Sequence, residues 1–236
     1  MTAEILSDVP KGVLAVYAHP DDPEISCGGA LARWADQGSD VRLVVVNAGD
    51  KGSPRPGADP LAVTRRRADE VDAAADVLGL AGVDMLGLPD GEVTNDVALR
   101  ARLVELLRRY TPELVIAPDP TAVFFGDSYV NHRDHREVGW AVLDAVAPAS
   151  ANPLYFPDAG EPHQVRVMLL SGTLAPDVWV DISGVVERKV AAVQCHASRV
   201  GDDPDMVAEL IRSRTAETGT SVGVGHAESF RRLRFG

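Results

Sequence analysis

The stretch VLAVYAHPDDPEISCGGALARWADQG, Val13 to Gly38, carries both the fold and the chemistry of this chain. Its opening, VLAVYAH, is short, apolar and rich in β-formers, which predicts a strand buried on both faces, Val13 to His19. Its close, GGALARWADQG, spaces Leu31, Trp34 and Ala35 for a helix that stops at Gly38, a helix-ending residue. Between the two stands His-Pro-Asp-Asp. Adjacent carboxylates repel each other unless something positive lies beside them, so the motif asks for a cation.

The strand-to-helix step repeats along the first half. DVRLVVVNAGD (Asp40 to Asp50) reads as a second buried strand, and SPRPGADP (Ser53 to Pro60) as a loop of turn residues. From Leu61 a long amphipathic helix runs to Gly79. VDMLGL (Val83 to Leu88) is a short strand, DGEV a turn, DVALRARLVELLRRY (Asp96 to Tyr110) a helix, and ELVIAP (Glu113 to Pro118) a fourth strand. Strands alternating with helices over tight connections predict an α/β fold, Rossmann-like and doubly wound, with a mostly parallel sheet and helices on both faces. The second half is less regular. Helices are predicted over DHREVGWAVLDAVA, GVVERKVAAVQCHA and DMVAELIRSRTAETG, and strands over VRVMLLSG and VWVDIS. The basic C-terminus, SFRRLRFG, reads as a solvated or docking tail. With no repeat, low-complexity tract or linker in sight, a single domain over residues 1–236 is the simplest organisation.

Composition narrows the function. At 236 residues and 45% hydrophobic content the chain can bury one sizeable core. A formal net charge of -12 argues against a duplex nucleic-acid binder, which needs a basic face. The N-terminus lacks the pattern of a signal peptide, and no apolar run approaches membrane-spanning length. Cys27 and Cys195 are far apart and form no CxxC, against a disulfide framework. These features predict a cytoplasmic protein with neither membrane nor nucleic acid as partner.

In an open parallel sheet, ligands gather at the carboxyl ends of the strands where strand order reverses. His19, Asp21 and Asp22 follow the first strand, and the fourth strand leads through TAVFFGDSYV to NHRDHREVG, where His132 and His135 flank Asp134. Two histidines and a carboxylate suit Zn²⁺ with an open fourth position. One aspartate of the pair can then bind metal while its neighbour takes a proton from water, the equipment for hydrolysing an amide or ester. Taken singly, each motif also fits capping chemistry, with Asp22 and Asp134 as helix starters. Both at strand ends, they favour a metal site. G-x-G-x-x-G and G-x-S-x-G are absent, which weighs against a dinucleotide site and a serine hydrolase.

The two motifs resemble the signatures of the LmbE-like (PIG-L) family of zinc-dependent N-acetylglucosaminyl deacetylases. RADEVDAAADVLGL with DMLGLPDGEV, and KVAAVQCHASR, are similar to further family segments. The resemblance implies His19, Asp22 and His135 as ligands of one Zn²⁺ per chain and Asp21 as general base. It implies His132 as the group that stabilises the oxyanion or protonates the leaving amine, with Asp134 holding its ring. Arg67 and Asp90 match positions that grip sugar hydroxyls or a neighbouring group, and His196 is lifted toward the substrate site by the resemblance alone. Phe124, Phe125 and Tyr129 offer either a wall for the substrate or buried core. The implied function is removal of an N-acetyl group from an N-acetylglucosamine-containing small molecule. The alternatives are a thiol-conjugate amidase with the same site and, from another class, a non-hydrolytic metal- or nucleotide-binding module. Relatives of this kind imply a homo-oligomer, trimer or hexamer. Pro23 stands where other subgroups carry glutamate directly, and Arg133 where the second motif has proline.

Overall fold

The computed structural model describes residues 4–201 and 203–236. A two-residue strand, β1 (Glu4–Ile5), precedes the first buried run, β2 (Gly12–Tyr17). There follow α1 (Asp22–Asp36), β3 (Asp40–Asn47), α2 (Pro60–Leu78), β4 (Gly82–Leu88), α3 (Val97–Tyr110) and β5 (Leu114–Pro118). Local chemistry sets these boundaries. The side chains of Asp59 and Asp96 cap α2 and α3 by accepting from the Leu61 and Leu99 N–H groups at 3.1 and 2.8 Å. Gly79 closes α2 at φ 76°, where a side chain would be strained. Helix α1 starts at Asp22 rather than near Gly28, because Pro23 suits the first helical turn, which leaves its N–H groups unpaired anyway.

Beyond β5 lie a small hairpin of β6 (Phe124–Phe125) and β7 (Tyr129–Val130), then α4 (Arg133–Asp144), β8 (Val167–Ser171) and β9 (Val178–Asp181). Next come α5 (Val186–Cys195), α6 (Ala197–Val200), α7 (Pro204–Val222) and β10 (Ala227–Arg234). The helix predicted over 184–197 breaks at His196, whose carbonyl accepts from the Arg199 and Val200 N–H groups and starts α6.

The main sheet has eight strands in the order β1-β9-β10-β8-β5-β2-β3-β4. Every neighbouring pair is parallel except those made by β10. From β2 the chain winds outward through β3 and β4, then returns to the other flank through β5 and β8, so strand order reverses between β2 and β5. These two pair directly, Val13 opposite Leu114 and Ala15 opposite Ile116. Burial on β2 alternates by face. Val13, Ala15 and Tyr17 pack with Leu31 of α1, Leu78 of α2 and Ala192 of α5, while Leu14 and Val16 pack with Leu103 of α3 and Val138 of α4. The sheet is doubly wound, as the sequence pattern requires.

The C-terminal segment is not a tail. β10 lies between β8 and β9, antiparallel to both, with Phe230 fully buried. Its charges hid it. Glu228 is buried because its carboxylate accepts from the Gly29 and Ala30 N–H groups at 2.9 and 2.8 Å and from Lys189 Nζ at 2.5 Å. Lys189 also donates to the Ile25 carbonyl at 2.7 Å, so one ion pair fastens α1 and α5 to β10. Gly29 also lets α1 pack against Ile182, the residue after β9, since a Cβ there would sit 2.7 Å from Ile182 Cδ1. Replacing Lys189 with Met leaves Glu228 buried without its cation, at a cost of about 3–5 kcal/mol. A urea titration should show a correspondingly lower midpoint, and an unchanged midpoint would contradict this role.

Candidate metal centre

After β2 the chain passes through Ala18 and His19 into a turn that ends at Asp21, the residue before α1, with φ 96°. A residue other than glycine is strained there by about 1–3 kcal/mol. The turn sends the adjacent carboxylates in opposite directions. Asp22 Oδ2 accepts the His19 N–H at 2.8 Å and lies 3.0 Å from His19 Nδ1 and 3.1 Å from His135 Nε2. Asp21 faces away, its Oδ1 accepting from Arg67 Nη2 at 2.6 Å and its Oδ2 from Arg199 Nε at 3.3 Å.

The segment after β5 supplies the opposite wall. Asp119 turns the chain by accepting from the Thr121 N–H and hydroxyl, and Asn131 Nδ2 donates to the Ala122 carbonyl at 2.8 Å. Asn131 Oδ1 lies 2.9 Å from His135 Nδ1, which fixes the proton on that nitrogen and leaves Nε2 free to act as a ligand. His132 caps α4, its Nδ1 accepting the Asp134 N–H at 3.2 Å, so the neutral ring carries its proton on Nε2.

His19 Nδ1 and His135 Nε2 are 3.1 Å apart, which closes a triangle with Asp22 Oδ2. A tetrahedral ion with bonds of 2.0–2.1 Å spaces its donors by about 3.3 Å. The three atoms therefore fit a divalent ion with little adjustment. Charge argues the same way. Burial opposes a charge on His19, yet the carboxylates of Asp134, Asp22 and Asp90 outweigh it and push its pKa up to about 11. Burial likewise opposes ionisation of Asp22, but hydrogen bonds from His135 and His19 hold it far below the usual carboxylate range. Asp21 is raised instead, because burial and the charge of Asp22 outweigh Arg67 and Arg199. Burial and the neighbouring His19 lower His132. Three candidate ligands, an adjacent carboxylate with raised pKa and a neutral imidazole are parts suited to attack of water on a carbonyl.

His19, Asp21, Asp22, Asp90, His132 and His135 line one cleft of about 450 Å³, together with Lys51 and Arg199. Arg67 lines the same cleft and takes the second of its two implied roles, gripping a neighbouring group: it is 2% exposed and donates to Asp21 and to the Pro20 carbonyl, so it positions that carboxylate. Two residues stand otherwise than the resemblance implied. His196 is fully buried, its Nε2 3.1 Å from Glu24 Oε2 of α1, and does not reach the cleft. Asp134 does not hold the His132 ring with its carboxylate. Its Oδ2 accepts from Asn47 Nδ2 at 3.1 Å and the Gly91 N–H at 2.7 Å, and stands 3.4 Å from His19 Nε2. Asp90 lines the cleft as implied, but its Oδ1 is also 3.2 Å from His19 Nε2. Besides the triangle, His19, His132 and His135 form a group able to gather round an ion, and His19, Asp90 and Asp134 form another through that nitrogen. Its Asp134 oxygen is already taken by two donors, which favours the triangle with Asp22. Phe124 and Tyr129 are exposed on the hairpin and not part of the core.

Sequence reasoning missed Asn47, Asn131 and Arg199. Asn131 had a signal, a polar residue directly before the histidine motif, and Asn47 had another, an amide ending the apolar run VVV. Arg199 had none, for only the break at His196 swings it to Asp21.

Residues 14–146, more than half of the chain, match the family model described as PIG-L, GlcNAc-PI de-N-acetylase. The chain is 30% identical to diacetylchitobiose deacetylase of Thermococcus kodakarensis, over 97% of this chain and 85% of that protein. It is 31% identical to 4-oxalmesaconate hydratase of Pseudomonas putida, over 80% and 74% respectively. The solved structure of N,N'-diacetylchitobiose deacetylase from Pyrococcus horikoshii with its inhibitor superposes with a TM-score of 0.86 at 27% identity, covering 97% of this chain and 88% of that one.

With no ion bound, the raised pKa keeps His19 protonated at neutral pH, and a ligand nitrogen must be free of its proton. Titrating metal-stripped protein with a divalent transition-metal ion at pH 7, in buffers of different ionisation enthalpy, should register about one proton released per ion bound. Binding without proton release would contradict the charge assignment at His19.

Proposed function

The chain belongs to the PIG-L family, and on that footing we propose that it is a zinc-dependent amidohydrolase that removes the N-acetyl group from an N-acetylglucosamine-containing small molecule. The observation that carries this reading is the triangle of His19 Nδ1, Asp22 Oδ2 and His135 Nε2 with Asp21 turned away beside it. His19, Asp22 and His135 would hold the ion. When bound, zinc supplies a Lewis acid that polarises a carbonyl and makes water more acidic.

The other roles belong to the chain. Asp21 takes the proton of the attacking water, and its raised pKa makes it a stronger base than an ordinary surface carboxylate. Arg67, itself buried, and Arg199 hold that carboxylate in place. His132 donates from Nε2 to the oxygen that gains charge, or to the amine as it leaves. Asp134 and Asp90 orient His19, and Asn131 orients His135. Asp90 and Lys51 line the cleft where sugar hydroxyls would find a carboxylate acceptor and an ammonium donor. No helix among the described residues is long and apolar enough to cross a membrane. Cytoplasmic residence is part of this proposal, supported by two cysteines that stand as free thiols.

A hydratase stands among the relatives, so the assay must read amide cleavage itself: acetate and free amine in equal amounts from a panel of N-acetylglucosaminyl compounds. Absence of both from every compound, with zinc loaded, would contradict the reading. The two aspartates then separate. Asp21→Asn should keep its zinc and lose on the order of a hundred- to ten-thousand-fold in kcat. Asp22→Asn should lose zinc affinity. The reverse pattern would exchange their roles.

A further inference from the structure

The ligand triangle stands on the border of two clefts. The polar one, described above, contains Asp21 and His132. The other, of about 550 Å³, shares Asp22, His135, Ile25, Ser26 and Tyr129 with it but contains neither Asp21 nor His132. Its remaining walls come from Tyr17, Pro118, Phe125 and Gly172 and from the polar Asn131, Ser171 and Arg214. Polar and apolar surface are about equal in the first cleft, whereas in the second, despite Asp22, His135 and Arg214, apolar surface exceeds polar.

The two halves of an amide leave its carbonyl carbon in different directions. Once that carbon is held at the triangle, the nitrogen must lie toward a group that can protonate it; Asp21, carrying the water's proton, and His132 both line only the polar cleft, and so the amine half occupies that cleft. The acyl substituent then points into the second cleft. An acetyl group presents one methyl there, far less than the space and apolar wall available. We propose that this aromatic cleft is an acyl subsite, and that the enzyme hydrolyses N-acyl glucosamines whose acyl chains are longer than acetyl. The inference rests on the deacetylase reading for the position of the scissile amide. The chemistry is the same for each chain length: the oxygen of water bonds to the carbonyl carbon, the C–N bond breaks, and the amine takes up a proton. The products are glucosamine and the corresponding carboxylic acid.

The side chains explain why length should help. Each methylene moved from water onto Phe125, Tyr129 or Ile25 can raise kcat/KM by up to about fourfold where burial is complete. Phe125 is the most telling residue, since it lines the second cleft and not the first, and it sits on the β6–β7 hairpin away from either core.

The experiment measures glucosamine released from N-acetyl-, N-butyryl- and N-hexanoyl-D-glucosamine by the zinc-loaded enzyme, and repeats the series with Phe125→Ala. The expected result is a kcat/KM for the hexanoyl compound at or above that for acetyl, with the hexanoyl-to-acetyl ratio falling on the order of tenfold in Phe125→Ala. Cleavage of the acetyl compound with a lower value for hexanoyl overturns the acyl subsite and leaves the deacetylase reading standing. So does a ratio that Phe125→Ala leaves unchanged. Failure to release glucosamine from any of the three, by enzyme that cleaves a compound of the panel above, overturns the acyl subsite and leaves the deacetylase reading standing; failure on the whole panel as well overturns both.

Discussion

The parallel pairing of β2 with β5 is the constraint on which the rest of the molecule depends. Both strands are buried on two faces, so side-chain alternation fixes their register. A slip of one residue would exchange the sets that face α1 and α4. The same pairing decides that the loop after Tyr17 and the loop after Pro118 open at one end of the sheet, at the point where strand order reverses. His19 and Asp22 come from the first loop and its helix, His135 from the helix that follows the second. Nothing in either loop alone makes a three-sided site. The sheet makes it.

The second condition is electrostatic. Asp22, Asp90 and Asp134 crowd around the His19 imidazole with Asp21 beside them, and the four are tolerable only because each has been given a cation or a set of donors. The left-handed turn at Asp21 divides the adjacent pair: one carboxylate goes to two arginines, the other to two imidazoles. Strain in that turn is therefore tied to function, because a relaxed helical start at Asp21 would not direct the two side chains so differently. Arg67 shows how thoroughly this is built in. It packs closely against Gly49 and Gly52, where a Cβ would approach its guanidinium to 2.6 and 2.5 Å, so the glycines of that loop make room for it.

Legibility in the sequence followed the range of the interaction. The βα repeats were readable because buried parallel strands and capped helices are written locally, in VLAVYA, in Asp59 and in Gly79. The three ligand candidates were readable because each motif lies within a few residues of a strand end. What failed was long-range. SFRRLRFG looked like a tail because Glu228 pairs with Lys189 and with two backbone N–H groups of α1, partners that no local pattern reveals. Arg67 could be read as gripping either a sugar or a neighbouring group, and its helix position does not reveal that Asp21 is the neighbour it holds. His196 is lifted toward the substrate site by the resemblance alone, and its place beside the buried Glu24 returns it to the structural role its residue type more often has. Asp134 was seen next to His132 in sequence, yet the helix turn that follows carries its carboxylate to His19.

Those particulars reduce to one central claim: the ion belongs to the face of His19 that carries Nδ1, shared with Asp22 and His135, and not to the face that carries Nε2, shared with Asp90 and Asp134. Anomalous diffraction at the zinc edge from crystals of the zinc-loaded protein measures this directly. A single strong peak is expected within bonding distance, about 2.0–2.2 Å, of His19 Nδ1, Asp22 Oδ2 and His135 Nε2, with Asp21 outside that distance. A peak between His19 Nε2, Asp90 and Asp134, or one ligated by Asp21, would contradict it.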